Sequence, residues 1–288
     1  MRYISPLRYP GGKAKLGPYF ARILADQSIQ IDTYAEPYAG GAGAGLYLLS
    51  EGYISKLLIN DLNPGIAAFW RSILTDSERF IERVETEELS LDSWHKNREI
   101  YLTPDGRNDL DLGFAAFFLN RCNRSGILTA RPIGGLEQTG KWKIDARFNR
   151  EDLATRIRHI ASMAPQIVVT QKSALGFLAT LSRRKRPVFL YVDPPYLTQG
   201  DELYMSSHSW PEHEQLAAAL VKISHPWILT YDVDNRIRSL YPDNSCLQYS
   251  ISHTAQTQKV GTEYMLFSGA LKIGDIAVAS NREGAWVD

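Results

Sequence analysis

Short apolar runs of strand length alternate with helical stretches at both ends of this chain, and the middle breaks that rhythm. Residues 33–36 read as a strand leading into Gly40-Gly41-Ala42-Gly43-Ala44-Gly45, then a helix over 46–50 that Gly52 stops. The next strand is predicted at 56–60, with Asp61 at its end. After Pro165 the pattern resumes with strands at 167–170, 188–192 and 227–231, and helical periodicity such as 213–223 falls between some of them. Two last strands, near 247–252 and 264–268, have no helical pattern between them and are predicted to form a terminal antiparallel pair. Strands alternating with helices predict an α/β fold built on a mostly parallel sheet.

Residues 70–164 do not fit that alternation. They are helical and polar at first, then carry a stretch over 121–148 rich in Gly, Arg, Lys and Asn. The expected organisation is a sheet domain formed by 1–69 and 165–288, with 70–164 inserted into it.

Composition narrows the class without choosing a function. Of 288 residues, 44% are hydrophobic and 22% charged, which is ordinary for a globular protein with a sizeable core. The net charge of zero argues against a protein that coats nucleic acid non-specifically, yet leaves room for a local basic surface. Two cysteines and six histidines show no ligand spacing, so no metal is expected, and Cys122 and Cys246 read as reduced, buried thiols. The opening residues carry no signal-type apolar segment and no run approaches a membrane span, so a cytoplasmic location is expected.

The sharpest chemical signal is Asp193-Pro194-Pro195-Tyr196 at the end of the 188–192 strand, where open α/β sheets place ligands. Two prolines remove two N–H donors and keep the backbone extended. What remains is a carboxylate, carbonyl oxygens and one aromatic face: an all-acceptor surface suited to a flat group bearing an amine. Accepting both hydrogens of an exocyclic base amine would localise its lone pair for attack, and the carboxylate would stabilise the positive charge growing on nitrogen. An ordinary Pro-Pro turn is the alternative.

Three further features are weaker alone. The glycine cluster gives G-x-G-x-G, not the dinucleotide fingerprint, but allows close backbone approach at a helix N-terminus. Asp61 follows it at about 20 residues, the spacing at which an acidic residue meets ribose hydroxyls; a capping or solvated Asp is the other reading. Tyr9-Pro10-Gly11-Gly12-Lys13 puts a ring and a cation around a tight turn, as a small zwitterion would need, or is simply a turn.

Taken together, Tyr9–Lys13, Glu36-Pro37-Tyr38-Ala39-Gly40-Gly41-Ala42-Gly43 and Asp193–Tyr196 resemble the motifs of the Dam-type (D12 class) DNA adenine-N6 methyltransferases, in that family's order. The resemblance extends to Asn60-Asp61-Leu62-Asn63, Leu119-Asn120-Arg121 with Gly126, and Leu229-Thr230-Tyr231-Asp232, so it spans nearly the whole chain. It implies a Rossmann-like methyltransferase sheet with a helical and hairpin target-recognition insert. It also implies S-adenosyl-L-methionine as cofactor, held by Tyr9, Gly12, Lys13, Glu36, Pro37, Tyr38, Gly40, Asp61 and Asp193. Lys13 and Tyr9 would meet the methionine end and Asp61 the ribose. Asp193, Pro194 and Tyr196 would be catalytic, gripping a target adenine. Arg121, Asn123, Arg124, Arg131, Lys141 and Lys143 would face double-stranded DNA. Ser173 stands where the family often has an acidic residue that receives the cofactor's adenine amine.

The implied reaction is direct, site-specific methyl transfer to an adenine flipped out of the duplex, of the kind found in restriction-modification, with the pairing to a restriction enzyme left open. The alternatives are the same chemistry on cytosine N4 or an RNA base, or a DNA-binding relative that has lost catalysis.

Overall fold

The strand-length apolar runs assemble into one eight-stranded sheet. In this computed structural model, residues 4–9, 13–196, 209–254, 258–273 and 284–287 are described. The strands are β1 (Thr33–Glu36), β2 (Lys56–Asn60), β3 (Ile167–Thr170), β4 (Phe189–Val192), β5 (Trp227–Asp232), β6 (Ser245–Thr254), β7 (Gln258–Phe267) and β8 (Ala285–Val287). Their spatial order is β3-β2-β1-β4-β5-β7-β6-β8. The first five run parallel. β7 inserts antiparallel between β5 and β6, with Leu247 opposite Met265, so the terminal pair forms as the sequence pattern predicts. The predicted helices over 46–50 and 213–223 appear as Gly43–Ser50 and Trp210–Lys222.

Parallel strands covered on both faces should be apolar throughout, and β1 and β4 are buried along their whole length. Period-two alternation then sorts their side chains onto two faces. Tyr34, Tyr191, Ile228, Tyr249 and Met265 point to one hydrophobic cluster. Ala35, Leu190, Leu229, Tyr231 and Leu266 point to the other, under helices Ala174–Leu181 and Trp210–Lys222. Chain order reverses between β1 and β4, which places the topological switch point at their carboxyl ends.

The connection from β2 to β3 is the helical excursion. It comprises helices Pro64–Thr75, Ser77–Thr86, Leu91–Leu102, Asp109–Cys122 and Arg150–Ser162, joined by loops. Asn63 starts it: its side chain accepts from the Gly65 and Ile66 amides, and Pro64 follows at the first helical position. The expected break at 69/70 lies inside the first of these helices. Phe69 and Trp70 share a core with the sheet face bearing Tyr34 and Tyr191, as do Phe114, Phe117 and Phe118. Gly113 permits the close crossing, since a Cβ there would sit 2.6 Å from the Phe69 backbone nitrogen. Each buried Phe contributes roughly 1.5–3 kcal/mol relative to exposure, so this packing ties the helices firmly to the sheet.

Candidate active site

At the switch point the chain after β1 turns tightly. Gly40 has φ +45°, and a Cβ there would fall 2.7 Å from the Tyr9 ring, so glycine is needed for both reasons. Tyr9 therefore lies against the glycine turn. Gly12, predicted beside it, lies outside the described residues. The Trp70 indole donates to the Gly40 carbonyl at 2.9 Å, tying the turn to the helical excursion.

Asp61 closes the turn from β2. Its carboxylate accepts from the Gly40 amide and the Asn63 amide, each at 2.9 Å. Burial outweighs these bonds and pushes its pKa up to about 6. The adjacent Leu62 is 61% exposed, an apolar side chain left in water beside a carboxylate. Glu36 is buried under the loop, where Oε1 accepts from the Tyr34 hydroxyl at 2.9 Å and the Gly45 amide at 3.1 Å. Its burial raises the pKa to about 8. The Pro37 carbonyl accepts from Asn60 at 2.9 Å, and Tyr38 is half-buried against the opposite core. Glu36 and Pro37 thus shape the turn from beneath. Ser173 caps helix Ala174–Leu181, accepting from the Gly176 amide at 3.2 Å, which explains a hydroxyl at that place.

The acceptor motif sits across the switch point, after β4. Pro194 and Pro195 are buried, while Asp193 and Tyr196 are half-buried. Asp193 Oδ1 accepts from the Thr230 hydroxyl at 2.7 Å and the Tyr196 hydroxyl at 2.9 Å. Its Oδ2 takes the Lys13 ammonium at 3.2 Å. Lys13 also donates to the Tyr196 hydroxyl at 2.8 Å and pairs with Glu263 Oε1 at 3.4 Å. Burial works to lower the Lys13 pKa, but Asp193 and then Glu263 outweigh it, and the pKa is raised. The Tyr196 ring leans against Tyr231 at 6.1 Å between centroids, and Tyr231 hydrogen-bonds His213 at 2.6 Å. Lys13, expected against the cofactor's methionine end, is thus bonded to the acceptor motif in this structure. Thr230, Tyr191, Tyr249 and Glu263 complete the cluster. Strand parity alone would have grouped them on one face.

The basic segment divides in two. Arg124, Arg131, Lys141 and Lys143 are exposed, on a loop where the Arg124 amide bonds the Arg131 carbonyl at 3.0 Å. Gln138 pins that loop, its amide bonding the Ile133 and Gly135 carbonyls and the Ile144 amide. Trp142, which no motif in the sequence marks, is 63% exposed beside Lys141. Asn123 and Arg121 are placed differently, with their side chains bonded within the protein. Asn123 is fully buried, accepting from the Trp94 indole at 2.7 Å and donating to the Ile127 and Leu128 carbonyls at 2.9 Å. Arg121 is half-buried and donates to the Pro6 and Arg147 carbonyls, with its pKa pulled down to about 9 by burial and by Arg8. Both hold the loop rather than present it. Nearby, Asn120 clamps the Arg8 backbone on both sides at 2.7 Å, which fixes the approach of Tyr9.

The fold is a doubly wound α/β sheet, with Asp61 and Glu36 bonded to the glycine turn at its switch point and the all-acceptor motif following β4. The family model of the D12 class N6 adenine-specific DNA methyltransferases matches residues 9–259. The chain belongs to that family, and is an enzyme transferring methyl to adenine N6 in DNA. The Type II methyltransferase M.MjaIII of Methanocaldococcus jannaschii is 25% identical over 204 residues, covering 66% of this chain and 68% of that protein. Among solved structures, protein PH1948 of Pyrococcus horikoshii aligns with 11% identity and TM-score 0.42, over 91% of this chain and 85% of that one. The rRNA methyltransferase AviRa of Streptomyces viridochromogenes aligns with 12% identity and TM-score 0.38, over 91% and 86%. Among the described residues no helix is long and apolar enough to cross a membrane, and no group of His, Cys, Asp or Glu could hold a metal ion. Cys122 and Cys246 are buried free thiols.

Proposed function

We propose that the chain binds S-adenosyl-L-methionine at the glycine turn and methylates adenine N6 at specific sites in double-stranded DNA, after extruding the base. The observation that carries this reading is the acceptor geometry of Asp193, which is fixed by Thr230 through one oxygen and offers the other to an N–H donor.

The chemistry of the residues around the glycine turn supports this cofactor. Asp61 presents a carboxylate for ribose hydroxyls, Leu62 an apolar surface for a base, and the Gly40 turn with the Tyr9 ring a place of close backbone approach. When bound, the cofactor supplies an electrophilic methyl group on a sulfonium. The protein's own residues do the rest. Asp193 accepts from the adenine amine and stabilises the charge that develops on its nitrogen. Tyr196 stacks on the extruded ring, worth roughly 1–3 kcal/mol, which offsets part of the few kcal/mol that flipping costs. Lys13 bonds the same carboxylate in the free protein, so an incoming amine and the lysine compete for Asp193. Arg124, Arg131, Lys141 and Lys143 supply the exposed charge for phosphate or base contact, with Trp142 among them.

The relationship to M.MjaIII favours a restriction-modification setting, and a cytoplasmic location belongs to the same reading. Calorimetric titration tests the cofactor site: S-adenosyl-L-methionine should bind the parent protein and bind Asp61→Ala far more weakly. Offering duplex DNA, single-stranded DNA and RNA in competition tests the acceptor. Label appearing preferentially in RNA would replace the proposal with the RNA-base reading.

A further inference from the structure

β7 carries a second carboxylate into the site. Glu263 is 1% exposed, with Oε1 3.4 Å from the Lys13 ammonium and Oε2 accepting from the Tyr249 hydroxyl at 2.6 Å. Register places it opposite Asp232 of β5 and Tyr249 of β6. Alternation along β7 puts it on the face of Met265 and Phe267, the face that also bears Tyr191 and Tyr249. Its position is therefore built into the sheet.

Its presence needs a reason. A buried carboxylate is costly unless paired and hydrogen-bonded. If Lys13 served only to neutralise Asp193, one carboxylate would suffice and Glu263 would add burial cost for nothing. Instead one ammonium lies between two carboxylates at nearly equal distances, 3.2 and 3.4 Å. An ammonium so placed can lose one partner without becoming an unpaired buried charge.

We infer that Glu263 is a positioning residue for methyl transfer: it retains Lys13, charged and in place, when the substrate amine takes over Asp193. The inference rests on the amine-acceptor role proposed above for Asp193. The groups around Lys13 are consistent with it. Asp193 and Tyr196 face it from the end of β4 and Glu263 from β7. Tyr249 backs Glu263 from β6, Tyr191 backs Asp193 through Thr230, and Glu36 and Tyr34 of β1 feel the Asp193 charge. Lys13 is the one cation paired to these carboxylates among the described residues, and its raised pKa reflects both Asp193 and Glu263.

Glu263→Gln keeps the volume and an oxygen for Tyr249 but removes the charge. Its kcat is expected to fall by about tenfold or more with the KM for cofactor little changed, the pattern of an interaction needed on the way to the transition state. The alkaline limb of its kcat–pH profile should move to lower pH, because Lys13 loses a partner that holds its proton. Glu263→Asp, which restores charge with a shorter reach, should recover part of both effects and stands in if the Gln variant does not fold. In parallel, a nitrogen-15 NMR titration of the Lys13 side chain in the ligand-free protein should show earlier deprotonation in Glu263→Gln than in the parent. That readout needs no methyl acceptor: an NMR shift in a protein that methylates no DNA would uphold the shared pairing while refuting the proposed function. Parental kcat with an unmoved alkaline limb, or an unchanged Lys13 titration, overturns the inference.

Discussion

The Thr230 hydroxyl donates to Asp193 Oδ1 at 2.7 Å, and because a threonine has one hydroxyl proton, the Tyr191 hydroxyl 2.7 Å behind it must donate to Thr230. The two strands β4 and β5 thus aim the acceptor carboxylate through a directed relay. Thr230→Val removes both bonds at constant shape. It leaves the buried Tyr191 hydroxyl without its acceptor, at about 1–3 kcal/mol, and takes the shorter bond from Asp193 Oδ1, leaving only Tyr196 and Lys13 to aim the carboxylate. Thermal melts should show the stability loss and steady-state kinetics a lower kcat, with Thr230→Ser restoring most of both.

Glu36 predicts a pH dependence of stability. Its carboxyl pKa is raised from the ordinary 4.5 to about 8 by burial, so the folded protein holds a proton that the unfolded chain releases. The folded state therefore binds more protons between these values, and unfolding free energy falls as pH rises through that window. The contribution is fully present below about pH 4.5 and lost by pH 8 or so. Glu36→Gln, which keeps an acceptor for Tyr34 and Gly45, should flatten the profile and make the protein more stable than the parent at pH 8. Denaturant melts across the range measure this directly, and parallel profiles for the two proteins would contradict it.

The basic loop separates phosphate contact from scaffolding. Arg124→Ala and Arg131→Ala should each weaken DNA binding and lower the salt slope of log K by about one, as loss of a phosphate contact does. Trp142→Ala should weaken DNA binding without changing that slope. Asn123→Ala should behave differently, leaving the Trp94 indole and two loop carbonyls unpaired and lowering stability by roughly 1–3 kcal/mol. Binding titrations at several salt concentrations, beside melts, distinguish the two kinds of residue.

Much of this was legible in the chain itself, for a physical reason. Buried parallel strands are short apolar runs, and those at 56–60 and 167–170 could be read to the residue. Asp193–Tyr196 declares its chemistry because two prolines and a carboxylate leave only acceptors. Periodicity, however, gives a side chain's face and not its partner. Lys13 meets Asp193 across 180 residues, and no local pattern announces that pairing. Glu263 sits in a strand whose alternation marks it as inward-facing, but a buried carboxylate is recognised only once Lys13 is seen beside it. Asn123 looked like a DNA-facing polar residue in a basic stretch, and only the folded loop shows its amide spent on Trp94 and two carbonyls. The helical excursion reads as an insert because its polar helical start and basic, glycine-rich stretch break the strand–helix alternation; its Phe69 and Trp70 pack in the core that also holds Tyr34 and Tyr191.

The central claim is that Asp193 accepts the adenine amine during transfer. Asp193→Ala should fold, since Glu263 still pairs with Lys13. The direct measurement is to incubate parent and variant with methyl-labelled S-adenosyl-L-methionine and mixed-sequence duplex DNA, digest the DNA to nucleosides and identify the labelled product by mass spectrometry. The account predicts labelled N6-methyladenine from the parent and none from the folded variant. Parental amounts of N6-methyladenine from Asp193→Ala, or label in a different nucleoside, would contradict it.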